Sequence, residues 1–208
     1  MTRRPPCILL IVCAAFLTAA KCGGSSEPSG DAAVADASAE DAADSISPDT
    51  AADVASSTPL ISNDAWARMM AKDDPLASHR PNTVDCADSA TRQEQLTGAH
   101  TYTVNTANCN YLAASQPLMA PIAKGDKLDL RIYHADLDAG SAAEAHVAVL
   151  VKGDVAWQKK VPIPSDGEVM VESWNASKSY AAGDEVVFHL HNHGSNSWNF
   201  IAFTNAGQ

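Results

Sequence analysis

Downstream of residue 82, apolar and polar positions alternate in short runs, and turn residues separate the runs. Successive side chains of an extended chain point to opposite faces, so a period of two marks strands with one buried side. Such runs occupy residues 101–104, 111–116, 127–134, 145–151, 155–161, 168–172, 185–191 and 198–204. Between them stand Lys124-Gly125-Asp126, Lys152-Gly153-Asp154, the proline-containing stretch 162–167 and Ala182-Gly183-Asp184, all rich in turn formers. The runs on either side of Lys152-Gly153-Asp154 are close enough to form a hairpin.

The alternation also assigns faces. Over 127–134, Leu128, Leu130 and Ile132 point one way, and Asp129, Arg131 and Tyr133 the other. Over 185–191, Val186, Phe188 and Leu190 form the apolar face. Glu185, Val187, His189 and His191 form the opposite one, which puts the histidines on the outward side. The run 145–151 is apolar on both faces, with Val147, Val149 and Val151 against Ala148 and Leu150, and reads as a central strand. Many short strands with regular turns predict an all-β fold over 82–208, an antiparallel β-sandwich of Ig-like or jelly-roll type.

The chain before residue 82 has a different texture. Residues 60–81 read as a lead-in, with a short helix capped by Ser62 or Asn63 that carries Trp66, Met69 and Met70 on one side. Asp73-Asp74-Pro75 ends it. Residues 22–59 are mostly Ala, Asp, Ser, Gly, Glu and Pro, with too few large apolar side chains to offset the entropy of ordering. They read as a disordered acidic tether with a mean reach of roughly 30–35 Å. At the N-terminus, Arg3 and Arg4 precede an apolar run over 7–17 and then the small residues Thr18-Ala19-Ala20. That is a secretory signal, and the run is too short to span a bilayer as a helix.

Charge sharpens this division. The net charge of −11 splits into +3 over residues 1–22, −8 over 23–59 and −6 over the remainder. An acidic chain argues against nucleic acid as a partner, which selects basic surfaces. Cys22 follows small residues and precedes Gly23-Gly24-Ser25-Ser26. It resembles the lipidated cysteine of bacterial lipoprotein signals. The resemblance implies removal of residues 1–21, a lipid on Cys22, a membrane as partner, and a place in the cell envelope, at the outer membrane or in the periplasm. Ordinary cleavage after Ala20 is the rival and would release a secreted, soluble protein. Lipidation of Cys22 leaves Cys86 and Cys109 as a pair. In an oxidising compartment a disulfide between them is expected, worth about 3 kcal/mol for a loop of that size.

Three features carry candidate chemistry. His189, His191 and His193 recur at alternate positions, so an extended chain lines up their imidazoles. Imidazole suits zinc or copper, and His134 and His146 are possible additional ligands. The run Gly183-x5-His189-x-His191 resembles the opening of the cupin metal motif. Ser195 and Asn196 stand where that motif needs Glu, so no cupin activity is carried over. Secondly, exposed aromatics in a sandwich can serve as platforms for sugars, and Trp174 and Trp198 are the candidates. Thirdly, turn 192–196 holds Gly194 and two asparagines, residues suited to positive φ. The chain shows no G-x-S-x-G elbow, H-E-x-x-H, Walker loop or dinucleotide fingerprint, and no catalytic residue is assigned.

These features lead to the expectation of an exported, lipid-anchored binding or interaction module rather than an enzyme. Its partner would be another envelope protein or a glycan. The first alternative is a zinc or copper protein, or a metal-dependent enzyme, built on the histidine strand. The second is a carbohydrate-binding module.

Overall fold

The computed structural model describes residues 57–207. The signal segment, Cys22 and the tether as far as residue 56 lie outside them. In chain order the strands are β1 (Thr58–Pro59), β2 (Ala67–Arg68), β3 (Thr91–Leu96), β4 (Ala99–Asn105), β5 (Tyr111–Pro117) and β6 (Lys127–His134). There follow β7 (Ala143–Val151), β8 (Asp154–Ile163), β9 (Glu168–Asn175), β10 (Glu185–His191) and β11 (Ser197–Gly207). Three single 3-10 turns, at Ala71–Asp73, Ala77–His79 and Asp88–Ala90, are the only helical pieces among the described residues.

The strands form two antiparallel sheets packed face to face, the expected β-sandwich. The six-stranded sheet runs β3-β4-β11-β6-β9, with β1 also paired to β11. The five-stranded sheet runs β2-β5-β10-β7-β8. The inward positions read from the alternation meet between them. Val186, Phe188 and Leu190 of β10 lie over Leu128, Leu130 and Ile132 of β6 in one continuous core. Phe188 meets Phe200 across the layers edge to face, at 5.0 Å between ring centroids. Burial of each such side chain stabilises the fold by about 1.5–3 kcal/mol.

The turns follow residue chemistry. Lys152 and Gly153 both have positive φ, 52° and 77°, and close the β7–β8 hairpin as a two-residue loop. Cys86 and Cys109 are joined by a disulfide as expected, and pin the chain before β3 to the start of β5.

The structure corrects the lead-in. No helix forms over 62–70, only a single 3-10 turn follows at Ala71–Asp73, and the sandwich starts well before residue 82. Ala67 and Arg68 pair instead with Ser115 and Ala114 at the edge of the five-stranded sheet. Trp66 inserts into the core against Tyr102, Phe188 and Phe200, and its indole N–H donates to the Asn63 side chain. The Asn63 amide in turn donates to the carbonyls of His100 and Ile201. Three residues that share a face in a helix thus go to three places: Trp66 to the core, Met69 to the outside of the five-stranded sheet and Met70 to solvent. Strand pairing and core burial outweigh local helical spacing, whose intrinsic preference is a few tenths of a kcal/mol per residue. Residues 91–96, which no apolar alternation marks as a strand, form β3, an edge strand paired to β4.

Candidate functional site

The two sheets turn very different outer faces to their surroundings. On the five-stranded sheet the outward side chains of β5, β10 and β7 include Tyr111, Val187, His189, His191, His146, Ala148 and Leu150. Residues 69–80 lie across them as a strap. Met69 and Leu76 pack on Ala148, Leu150 and Val187 and make a second small apolar cluster. The strap is tied down by polar contacts. The Tyr111 hydroxyl donates to the buried Asp74 carboxylate and lies 3.2 Å from the Leu76 carbonyl. Arg80 reaches Asp74 at 3.7 Å and covers the Tyr111 ring. Burial and the Asp74 carboxylate both push the Tyr111 hydroxyl above the ordinary phenol range.

Beneath the strap the imidazoles meet. His146 Nδ1 and His189 Nε2 are 3.0 Å apart, and His146 Nε2 is 3.1 Å from Gln158 Oε1. Gln158 Oε1 only accepts, so His146 Nε2 carries the proton and His146 Nδ1 accepts from His189 Nε2–H. His79, contributed by the strap, stacks on His146 at 4.2 Å. His189 is 0% exposed, and its Nδ1 has no hydrogen-bond partner. Burial, and after it the neighbouring imidazoles, push its pKa down to about 3. Burial also lowers His146 and His191. His189, His146 and His191 are therefore neutral at physiological pH.

This arrangement corrects the row of three histidines. The outward side of β10 is covered, so His189 is buried, His191 is half-buried and His193 is exposed at the turn. His146 joins His189 from the neighbouring strand. His134 does not, because β6 belongs to the other sheet. It sits in the main core beside Trp198, with Nδ1 2.9 Å from the Ala135 carbonyl. Among the described residues no three His, Cys, Asp or Glu side chains are disposed to hold a metal ion. His79 lies in a segment without periodicity, and nothing in its local sequence marks it as a partner of His146.

Among the described residues, no such strap lies over the outer face of the six-stranded sheet. Its floor is polar and already satisfied: Thr103 Oγ1 donates to Asn199 Oδ1 at 2.7 Å, and Thr101 Oγ1 donates to the Glu94 carbonyl at 3.2 Å. Around this floor three depressions adjoin. One of about 500 Å3 is lined mainly by apolar groups of Leu96, Ala99, Val169 and Ile201, with Arg131 and Tyr133. A second, of about 360 Å3, shares Ala99, Arg131 and Ile201 and adds His100, Asp129 and Thr204. A third, of about 410 Å3, shares Tyr133 and adds Arg92, Asn105, Asp136 and Asn196. Shared walls make these one trough, with the half-buried Tyr133 ring between an apolar end and a polar end. The sequence signal for it was the outward trio Asp129, Arg131 and Tyr133 of the strand 127–134.

The tryptophans singled out from sequence are not on that face. Trp198 is 0% exposed, and its indole N–H donates to Asn192 Oδ1 at 3.2 Å. Trp174 is half-buried, stacks on Phe203 at 5.9 Å and packs against the core. Both are structural, because β9 and β11 direct them inward.

No family model matches the chain, and no curated protein matches it. Among solved structures, the CBM22-1 xylan-binding domain from Paenibacillus barcinonensis is similar at 14% identity and TM-score 0.35, covering 75% of this chain and 96% of that one. TmCBM61, solved with beta-1,4-galactotriose, is similar at 9% identity and TM-score 0.38, covering 61% and 88%. A CBM4 structure is similar at 14% identity and TM-score 0.36, covering 56% and 91%. Likenesses this low carry no weight for function, which rests on the residues themselves.

Proposed function

We propose that the protein is an exported binding module that takes a glycan in the trough on the outer face of its six-stranded sheet. The observation that supports this is the position of Tyr133. Its ring lies where an apolar hollow meets a hollow rich in planar polar side chains. A pyranose ring has one C–H face and a rim of hydroxyls, and binding sites for small ligands combine apolar walls with a few placed polar groups. The ring stacks on Tyr133, and Asn105 and Arg92 offer hydrogen-bonding groups to the hydroxyls. The disulfide fits export to an oxidising compartment. The secretory signal and Cys22 supply the route and the anchor, with the acidic tether holding the module off the membrane.

A glycan array probed with the purified protein tests the reading. Binding to at least one glycan class is expected, with loss of about tenfold or more on Tyr133→Ala, the order expected for removing a stacking aromatic anchor. Retention of full binding by that variant would refute the site. For the anchor, Cys22→Ser is expected to leave the membrane fraction.

A further inference from the structure

Among the described residues, the trough contains a cation with no ion-pair partner, in an acidic chain. Three of the four arginines among the described residues end on a carboxylate. Arg68 is 3.5 Å from Asp88, Arg80 is 3.7 Å from Asp74, and Arg92 is 2.5 Å from Glu94. Among the described residues Arg131 has no ion-pair partner and no side-chain hydrogen bond, and it is exposed. The acids nearest along its face are committed elsewhere: Asp129 accepts from the Ser173 hydroxyl, and Asp136 accepts from the Gly167 amide at 2.8 Å. With Ala99 and Ile201, Arg131 lines both the apolar hollow and the hollow holding His100, Asp129 and Thr204. Tyr133 follows it by two residues on the same face. That spacing is about 6.6–6.8 Å along a strand, comparable to one sugar unit.

These positions match one kind of sugar. A pyranose can stack on Tyr133 in an orientation that directs the substituent on its C5 carbon along the strand, toward the guanidinium. If that substituent is a carboxylate, Arg131 can hold it with two parallel N–H···O bonds, the geometry in which arginine exceeds lysine. We propose that the ligand is an acidic glycan whose uronate units stack on Tyr133 and present their carboxylate to Arg131. The proposal rests on the glycan reading of the trough and adds the charge of the ligand. Asp129 and Asp136 on the same face disfavour more than one negative charge per sugar, so singly charged uronate units suit the trough better than sulfated chains.

Titration calorimetry with the intact protein tests this, using polygalacturonate, the same polymer with its carboxylates reduced to alcohols, and poly-glutamate. Polygalacturonate is expected to bind about tenfold or more tighter than its reduced form, the loss expected for one charge-assisted contact, and to weaken with added salt. Arg131→Gln should remove that difference, while Arg131→Lys keeps part of it. The exposed position allows both variants to fold, which their melting temperatures verify. Equal binding of the acidic and reduced polymers, or an unaffected Arg131→Gln, overturns the acidic preference and leaves the glycan reading standing. Absence of binding to either polymer, together with an empty array, overturns both. Poly-glutamate bound as tightly as polygalacturonate overturns the proposal in favour of a site for anions that does not read sugars.

Discussion

The two outer faces of this sandwich are built by the same alternation and end up opposed in character. On β6 the outward residues Asp129, Arg131 and Tyr133 remain open and line a trough. On β10 the outward residues Val187 and His189 are buried beneath residues 69–80 and belong to a small second core. What differs is the cover, and the cover comes from a segment more than a hundred residues away in sequence. A face that is covered contributes to stability. A face that is left open, with satisfied polar groups beneath it, is available for a ligand.

Both faces depend on the turn that carries the chain from β10 to β11, and the largest expected effect lies there. Gly194 has φ of 85°, and a Cβ added to it would lie 1.8 Å from the Asp138 carbonyl oxygen. Gly194→Ala is expected to lower stability by about 3 kcal/mol or more, from the backbone penalty together with the clash. Urea unfolding should show the loss, and binding should fall with the folded fraction. A variant as stable as the parent would mean that the turn does not hold the two sheets together.

The next prediction separates the faces. Tyr111→Phe removes the donor to the buried Asp74 carboxylate and loosens the strap. The expected cost is about 1–3 kcal/mol in urea unfolding, with glycan affinity unchanged. A change in affinity without a change in stability would reverse the roles assigned to the two faces.

Acid should act most strongly on the covered face, through its buried histidines. His189 has a folded pKa of about 3, below its unfolded value of about 6.5. Above pH 6.5 neither state binds a proton there, and the group adds no pH dependence. As pH falls from 6.5 toward 3, the unfolded chain takes up a proton that the folded chain refuses, so stability declines. By pH 4.5 the loss from this one group is on the order of 2–3 kcal/mol, with His146 and His191 acting in the same direction. Carboxylates titrate near the bottom of this range, so the comparison is with His189→Phe. That variant should lose less stability than the parent between pH 7.5 and 4.5. Parallel declines would show that His189 is solvated.

The smallest stability effect belongs to the open face. Tyr133→Ala should change unfolding by only about 0.5 kcal/mol, as surface substitutions do, while abolishing most glycan binding. The contrast with Tyr111→Phe, one tyrosine acting on stability and the other on binding, is the sharpest form of the comparison.

Part of this difference was legible in the sequence. The run 145–151 is apolar on both sides, and Ala148 and Leu150 on its outward side imply that something lies over them. Tyr133 and Arg131 were placed outward by simple alternation. Trp174 and Trp198 looked like the sugar platforms because tryptophan is the strongest such side chain. Their strands turn them inward, against Phe203 and His134. β1, β2 and β3 were not legible, because the first two are only two residues long and the third is polar over its first five residues, so none carries an apolar alternation.

The sequence by itself determined an all-β sandwich, the inward faces of its main strands, the Lys152-Gly153 hairpin and the Cys86–Cys109 pair. These follow from local rules: the two-residue period of an extended chain, the need for positive φ in a tight turn, and the pairing of two cysteines. Only the tertiary structure decided which outward face is covered, that His79 meets His146, and that Arg131 alone among the described arginines has no carboxylate. Periodicity reports which way a side chain points from its own strand. What lies above it is set by segments distant in sequence, and their arrival is a matter of packing that no local pattern encodes.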